Sequence, residues 1–487
     1  MGNGLTRKSA YSLSGDGRWF VFESAANDLV PNDTNGCYDI FLQDLWTGQT
    51  AVVSAAADGS PALGGNSYRG VISADGRYVA FASAATNLAA TFVGTNLNIY
   101  RKDLQTGGIV LVSMSTNGTD AADGNCFDPV ISADGRYVAF LSTAKNIAPG
   151  ISTTASTLGT FWHDANSGVT IALNSGSTTA LPPSMSADGR YVAYQTNASY
   201  PRIRIRDIQV GKDIYTNYTD YVTVTSAAIS PDGSRVLYGK TQPNQVRVDQ
   251  IATGSNLLSF SSTTRVQNSG QWSSDGRIVT FVVSTNATDA VLLCDLATSN
   301  MTLVSDSAVN GGVANAASDM PGISGDGRYV AYRSYATDIV PGDPNPAPKL
   351  YLFDRLSGQN AILSPAQTDA VPLPWISAPV ISSGAENVAF LSAGSDLVTN
   401  DFNRTLDAFA VRVLYRIEMT PLSLPDGTTT LTWQTAPART YGVQFKNNLN
   451  DLLWQDLPAT ISFVGNEGVA TVPADQPSRF YRIVENQ

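Results

Sequence analysis

An eight-residue phrase, Ser-Ala-Asp-Gly-Arg-Tyr-Val-Ala, stands complete at Ser73–Ala80, Ser132–Ala139 and Ser186–Ala193. Close variants begin at Ser14, Ser230, Ser273 and Ser324, and a degenerate copy runs Ser382–Phe390 without the Asp-Gly pair. Repetition at intervals of roughly forty to sixty residues means that one local structure is built again and again, each unit burying its faces on its neighbours. Such a pattern constrains the fold far more tightly than it constrains the activity.

One unit is legible between Arg69 and Ser113. The apolar segment Gly70-Val71-Ile72 enters the phrase, and Tyr78-Val79-Ala80-Phe81 leaves it. Ser or Asp opens a type I turn by bonding its own backbone, and Gly supplies the positive φ that closes a bulged hairpin. Pro231 in the fifth copy stands where its ring presets φ for such a turn. After a variable loop, Asn98-Ile99-Tyr100-Arg101-Lys102-Asp103-Leu104-Gln105-Thr106-Gly107 and Ile109-Val110-Leu111-Val112-Ser113 read as two further strands around a Gly turn. Each unit is therefore expected to hold four strands. No window sustains helical periodicity, because Ser, Thr, Gly and Asn interrupt every one.

In Tyr-Val-Ala-Phe both alternating sets are apolar, as in a sheet covered on both faces. Radially packed four-stranded sheets form a β-propeller, and dividing Met1–Leu414 among the copies predicts an all-β, eight-bladed ring. The weak joint is closure. The first copy begins almost on the innermost strand, so either Tyr415–Thr420 supplies the outer strand of the last blade or that blade has three strands; sequence upstream of Met1 is a further expectation.

Residues 9–414 resemble the TolB-like, WD-repeat-like propellers of bacterial envelope and secreted proteins. Their hallmark is Ser-x-Asp-Gly-Arg/Lys before an apolar strand, then Ile-Tyr-x-x-Asp-Leu-x-Thr-Gly. The resemblance implies a scaffold, sensor or accessory domain. Beyond Tyr415 the pattern changes: Thr429-Thr430-Leu431-Thr432-Trp433 and Tyr441-Gly442-Val443-Gln444-Phe445 alternate as in a small β-sandwich. Residues 415–487 are similar to a fibronectin type III module, which implies attachment or spacing.

The net charge is −11, which offers no electrostatic footprint for nucleic acid. No apolar run is long enough to span a bilayer as a helix. Charged residues make up 15 %, below the ~25 % of an average domain, and uncharged polar residues replace them. An exported protein is expected, in the periplasm, at the cell surface or secreted, with no signal-peptide core in this chain. Cys37, Cys126 and Cys294 are odd in number and lie in different units, which argues against a disulfide framework.

Catalytic signatures are missing. The single histidine, His163, is expected on a blade surface, and no Gly-x-Ser-x-Gly elbow accompanies it. The repeated Asp-Gly-Arg is read as a hairpin requirement, since an active site is normally built once, and it differs from the sialidase Asp box. More suggestive are the loops between second and third strands. Asp33, Asn35 and Asp39 in the first unit, and Asp401, Asn403 and Asp407 in the last, share Asp-x-Asn-x-x-x-Asp. Oxygen donors so spaced suit calcium, with Asx-turn chemistry as the alternative. The seventh unit keeps Asp338, Asp343 and Asn345 but has Lys349 in the last place.

The expected function is a non-catalytic, monomeric binding scaffold, requiring no cofactor, whose loops and central channel hold a protein or glycan. A carbohydrate-active enzyme with acidic residues in the channel is the alternative, with Trp272 and Trp375 stacking on sugars. A structural fragment of a larger surface protein is the third reading.

Overall fold

The computed structural model describes residues 6–89, 94–151, 157–174, 176, 180–196, 202–217, 224–241, 243–263, 270–284, 288–343, 347–364, 376–393, 397, 406–413, 419–423, 428–434, 440–447, 455–464, 467–473 and 480–486. It divides into two compact units, Met1–Arg412 and Val413–Gln487. Among the described residues every regular element is a strand.

In the first unit these strands form seven four-stranded antiparallel sheets and one three-stranded sheet. We number them in chain order: sheet 1 spans residues 6–52, sheet 2 67–111, sheet 3 126–172, sheet 4 184–216, sheet 5 224–261, sheet 6 271–303, sheet 7 318–362 and sheet 8 380–412. Each is a simple meander. Sheet 2 runs Ser67–Ile72, Tyr78–Ser83, Asn98–Asp103, Ile109–Leu111, in that spatial order.

Because both faces of the second and third strands are apolar, each sheet shares a core with the next. Val21, Ile40 and Leu42 of sheet 1 pack with Val79, Phe81 and Tyr100 of sheet 2. Val282, Val291 and Leu293 of sheet 6 pack with Val330, Tyr332 and Tyr351 of sheet 7. The last sheet returns to the first: Ala389, Val380 and Ala408 lie against Phe20, Phe22 and Phe41. Sequential meanders packed face on face, the last against the first, are the arrangement of a β-propeller. Directly opposed aromatic pairs on the second and third strands recur, among them Phe81–Tyr100 and Phe140–Phe161, with centroids 5.8 and 5.6 Å apart.

The repeated phrase turns out to be a joint between sheets as well as a turn. Ser132 Oγ donates to Asp134 at 2.6 Å, and that carboxylate accepts the Arg136 N–H. Gly135 sits at φ 70° with its Cα against the Tyr78 ring of the preceding sheet. Arg136 stacks over its own Tyr137, 4.7 Å from the centroid, and makes a two-pronged bond to Asp164 at the far end of the third strand, at 2.9 and 2.8 Å. The same Arg–Asp clamp joins Arg18 to Asp44, Arg77 to Asp103, Arg190 to Asp207, Arg277 to Asp295 and Arg328 to Asp354. Neighbouring hairpins are stitched by backbone bonds, from Gly15 N to Ala74 O, Asp75 N to Ala133 O, Ala133 N to Ala187 O, Ala187 N to Pro231 O, and from Ser383 N back to Gly15 O.

One expectation changes. His163 is buried at 3 % exposure, because its strand is covered by sheets on both sides, and so it is not a blade-surface residue. Of the segment offered for closing the ring, residues 415–418 lie outside the described residues, while Met419 and Thr420 belong to Met419–Ser423, which pairs with Thr428–Gln434 in a sheet of the second unit. The degenerate eighth hairpin does form. Glu386, one methylene longer than Asp and two positions later, accepts the Ser382 hydroxyl at 2.8 Å, and Ala385 takes the glycine's place at φ 59°.

The second unit consists of a four-stranded and a three-stranded sheet around Leu431, Trp433, Tyr441, Val443, Ala470 and Val472. Gly468 lies directly on the Trp433 ring, where a side chain would not fit.

Candidate functional site

The innermost strands of the sheets line the axis of the ring, so anything held in the channel meets them first. In sheets 4 and 6 these strands are only two residues long, Ser184–Met185 and Gln271–Trp272. Between them lies Val224–Ile229 of sheet 5. The shortened strands leave a recess of about 540 Å³ whose wall includes Pro182, Pro183, Ser226, Ile229, Gln271 and Trp272. Prolines there remove backbone donors that a longer strand would present. Among the described residues none of the lining side chains is ionisable. Trp272 is half-buried and donates its indole N–H to Ala228 O at 3.1 Å, so its polar edge is committed to the wall. Trp375 lies outside the described residues.

A second recess of about 390 Å³ opens between the innermost strands of sheets 2 and 3, with Tyr68, Arg69, Phe127 and Asp128 in its wall. Arg69 Nε lies 3.0 Å from Asp128 Oδ1, and the Arg69 N–H donates to the buried Glu23 carboxylate at 2.9 Å. Arg69 and Asp128 hold φ of 56° and 50°, and Met320 holds 54° at the same point of sheet 7. Each sits in a bulge that turns the strand. Sequence reasoning missed them. The available signal was Gly70, Pro129 and Pro321, breakers placed three residues before Ser73, Ser132 and Ser324.

In the acidic loop of sheet 1, a hydrogen bond links Asn35 and Asp39. Asn35 Oδ1 accepts the Cys37 N–H at 2.8 Å, an Asx turn, which turns its amide nitrogen toward Asp39 Oδ2 at 2.7 Å. Asp39 also accepts the Ser54 hydroxyl at 2.6 Å. Burial raises the pKa of both Asp33 and Asp39, and Asp39 raises that of Asp33 further. In sheet 8, Asp407 is buried at the start of the third strand, while Asp401 and Asn403 lie outside the described residues. In sheet 7, Asp338 accepts the Asn315 N–H at 3.0 Å, and Asn345 lies outside the described residues. Among the described residues no three acidic, histidine or cysteine side chains converge on one point.

Nucleophiles are quiet. Burial pushes the Cys126 thiol up to about 12 and the Cys294 thiol up to about 11, and Cys37 is raised by burial and by Asp39 and Asp33. A reactive cysteine needs the opposite shift. His163 is pushed down to about 4 by burial, with Nδ1 2.9 Å from Thr170 Oγ1.

No protein-family model matches this chain, and no curated protein matches it. Among solved structures it is similar to TolB from Acinetobacter baumannii, at 14 % identity and a TM-score of 0.34 over 59 % of this chain. It spans 63 % of that TolB chain. It is also similar to the β-propeller domain of the Trilobed protease from Pyrococcus furiosus, at 12 % identity and a TM-score of 0.42, over 71 % of this chain and 95 % of that one. The Dos1 propeller matches at 11 % identity and a TM-score of 0.46, over 80 % of this chain and 91 % of that one.

Proposed function

We propose that the chain is a non-catalytic binding scaffold: an eight-bladed propeller, exported from the cytoplasm, that presents its channel and loops to a glycan or protein partner. The C-terminal unit serves as a sandwich-like spacer, and the assembly works as a monomer. The observation that carries this reading is the lining of the larger recess, which among the described residues is apolar, hydroxyl- and amide-bearing, includes Trp272 and holds no ionisable side chain. Glycoside hydrolysis calls for two carboxyl groups roughly 5–10 Å apart across the scissile bond. In the smaller recess the one lining carboxylate among the described residues, Asp128, is already engaged by Arg69. Support for a place outside the cytoplasm comes from the surface chemistry, in which uncharged polar residues replace charged ones.

A glycan array probed with the labelled full chain, scored beside reducing-end release from the same glycans, tests the proposal. Binding without release is expected, weakened at least fivefold by Trp272→Ala. Release of sugar from any glycan, abolished by substituting a channel carboxylate, overturns it.

A further inference from the structure

Sheets 1 and 7 carry the same loop between their second and third strands, and their differences fall on one small cluster. Aligned through Val30-Pro31 and Val340-Pro341, Asp33 corresponds to Asp343, Asp39 to Lys349 and Phe41 to Tyr351. In sheet 7 the cluster is electrically closed. Asp343 Oδ2 accepts from Lys349 Nζ at 2.7 Å and from the Tyr351 hydroxyl at 2.8 Å, and Lys349 is wholly buried. A buried charge is tolerated when paired in this way.

Sheet 1 keeps the carboxylate and loses both donors. Where the ammonium stands there is a second carboxylate, Asp39, at 1 % exposure, and where the hydroxyl stands there is the phenyl ring of Phe41. Asp33 is itself 9 % exposed. Asn35 N–H and amide nitrogen, and the Ser54 hydroxyl, offer hydrogen bonds but no positive charge. The lysine of sheet 7 is thus an internal record of what this position holds when the chain supplies it: a cation.

We propose that the sheet 1 loop binds a divalent cation between Asp33 and Asp39, at the position that the Lys349 ammonium takes in sheet 7. Oxygen-only donors select a hard ion, and a two-carboxylate site completed by backbone carbonyls and water suits Ca²⁺ better than a transition metal. Asn35 is not a ligand. Its oxygen is held by the Cys37 N–H, so it positions Asp39 from outside. This inference does not rest on the binding-scaffold reading, because neither Asp33 nor Asp39 is among the residues that line the two recesses.

The test exchanges the two loops' chemistry. The full chain, stripped with EGTA, is titrated with calcium chloride by calorimetry and its thermal midpoint is read with and without the ion. Saturation at about a hundred times Kd is expected to raise the midpoint of the wild type by about 2–5 °C. Asp39→Lys with Phe41→Tyr, which rebuilds the sheet 7 cluster, is expected to bind one calcium fewer per chain and to be at least as stable in EGTA as the wild type. Should that variant misfold, Asp33→Asn with Asp39→Asn carries the same loss of one bound ion. A wild type with neither heat nor midpoint shift overturns the proposal, and so does a folded variant that keeps the wild-type stoichiometry.

Discussion

A single glycine illustrates how much one residue of the repeated phrase does. Gly135 needs a positive φ, and it also needs the absence of a side chain, because a Cβ would overlap the Tyr78 ring of the preceding sheet. Gly107, in the turn between the third and fourth strands of sheet 2, shares the positive φ but faces open space. The two demands separate experimentally. Gly107→Ala is expected to cost about 1 kcal/mol, the backbone penalty alone. Gly135→Ala is expected to cost about 2–4 kcal/mol, because tight packing adds to that penalty. Urea unfolding of both variants checks this, and equal losses would mean that the inter-sheet contact carries no weight. Sequence reasoning identified the turn role of this glycine from its local context. The second role belongs to a residue 57 positions away, and nothing local announces it.

Hairpins are the elements on which the ring turns. The eighth departs from the phrase, and its structure reveals which parts are replaceable. The carboxylate that accepts the opening serine's hydroxyl comes from Glu386 instead of an aspartate, and the left-handed position is held by Ala385 at φ 59°. Alanine tolerates that conformation poorly. Ala385→Gly is therefore expected to stabilise the protein by up to about 1 kcal/mol, read as a shift of the urea midpoint at unchanged slope. A loss of stability would show that the alanine is held there by its packing. The clamp is also altered: Glu386 and Arg412 stand where other sheets have Arg and Asp, with the charges exchanged. Only the missing Asp-Gly was legible in sequence; the compensation by Glu386 depends on side-chain reach around the turn.

Across the whole molecule, titration separates two sets of groups. The clamp arginines hold Asp44 and Asp103 down to about 2, below their ordinary value of 3.8, so the stability these pairs contribute is present above about pH 3.8 and drains away toward pH 2. His163 acts higher. Burial lowers it from 6.5 to about 4, so the unfolded chain takes the proton first and stability falls as pH drops from 6.5 to 4. Asp33, Asp39 and Asp306 oppose this, since their raised pKa values make the folded state the better proton acceptor above 3.8. The difference between wild type and His163→Gln isolates the histidine. It is expected to change by up to about 3 kcal/mol between pH 6.5 and 4, and to stay level below pH 4. A difference that is flat with pH would place the imidazole in contact with water.

What the sequence by itself determined is everything that repeats. The turn, the four-strand meander and the apolar faces that forbid an isolated sheet are local or periodic properties, and each copy reports them again. The side-chain partners within and between the sheets were decided by the tertiary structure. Arg136 meets Asp164 within one sheet, Gly135 meets Tyr78 across two, and Lys349 supplies to sheet 7 the charge that Asp39 withholds from sheet 1. Such pairings follow from the folding of each meander and its packing on the next, which set side chains within bonding distance, and their energies exist only once water has been excluded around them.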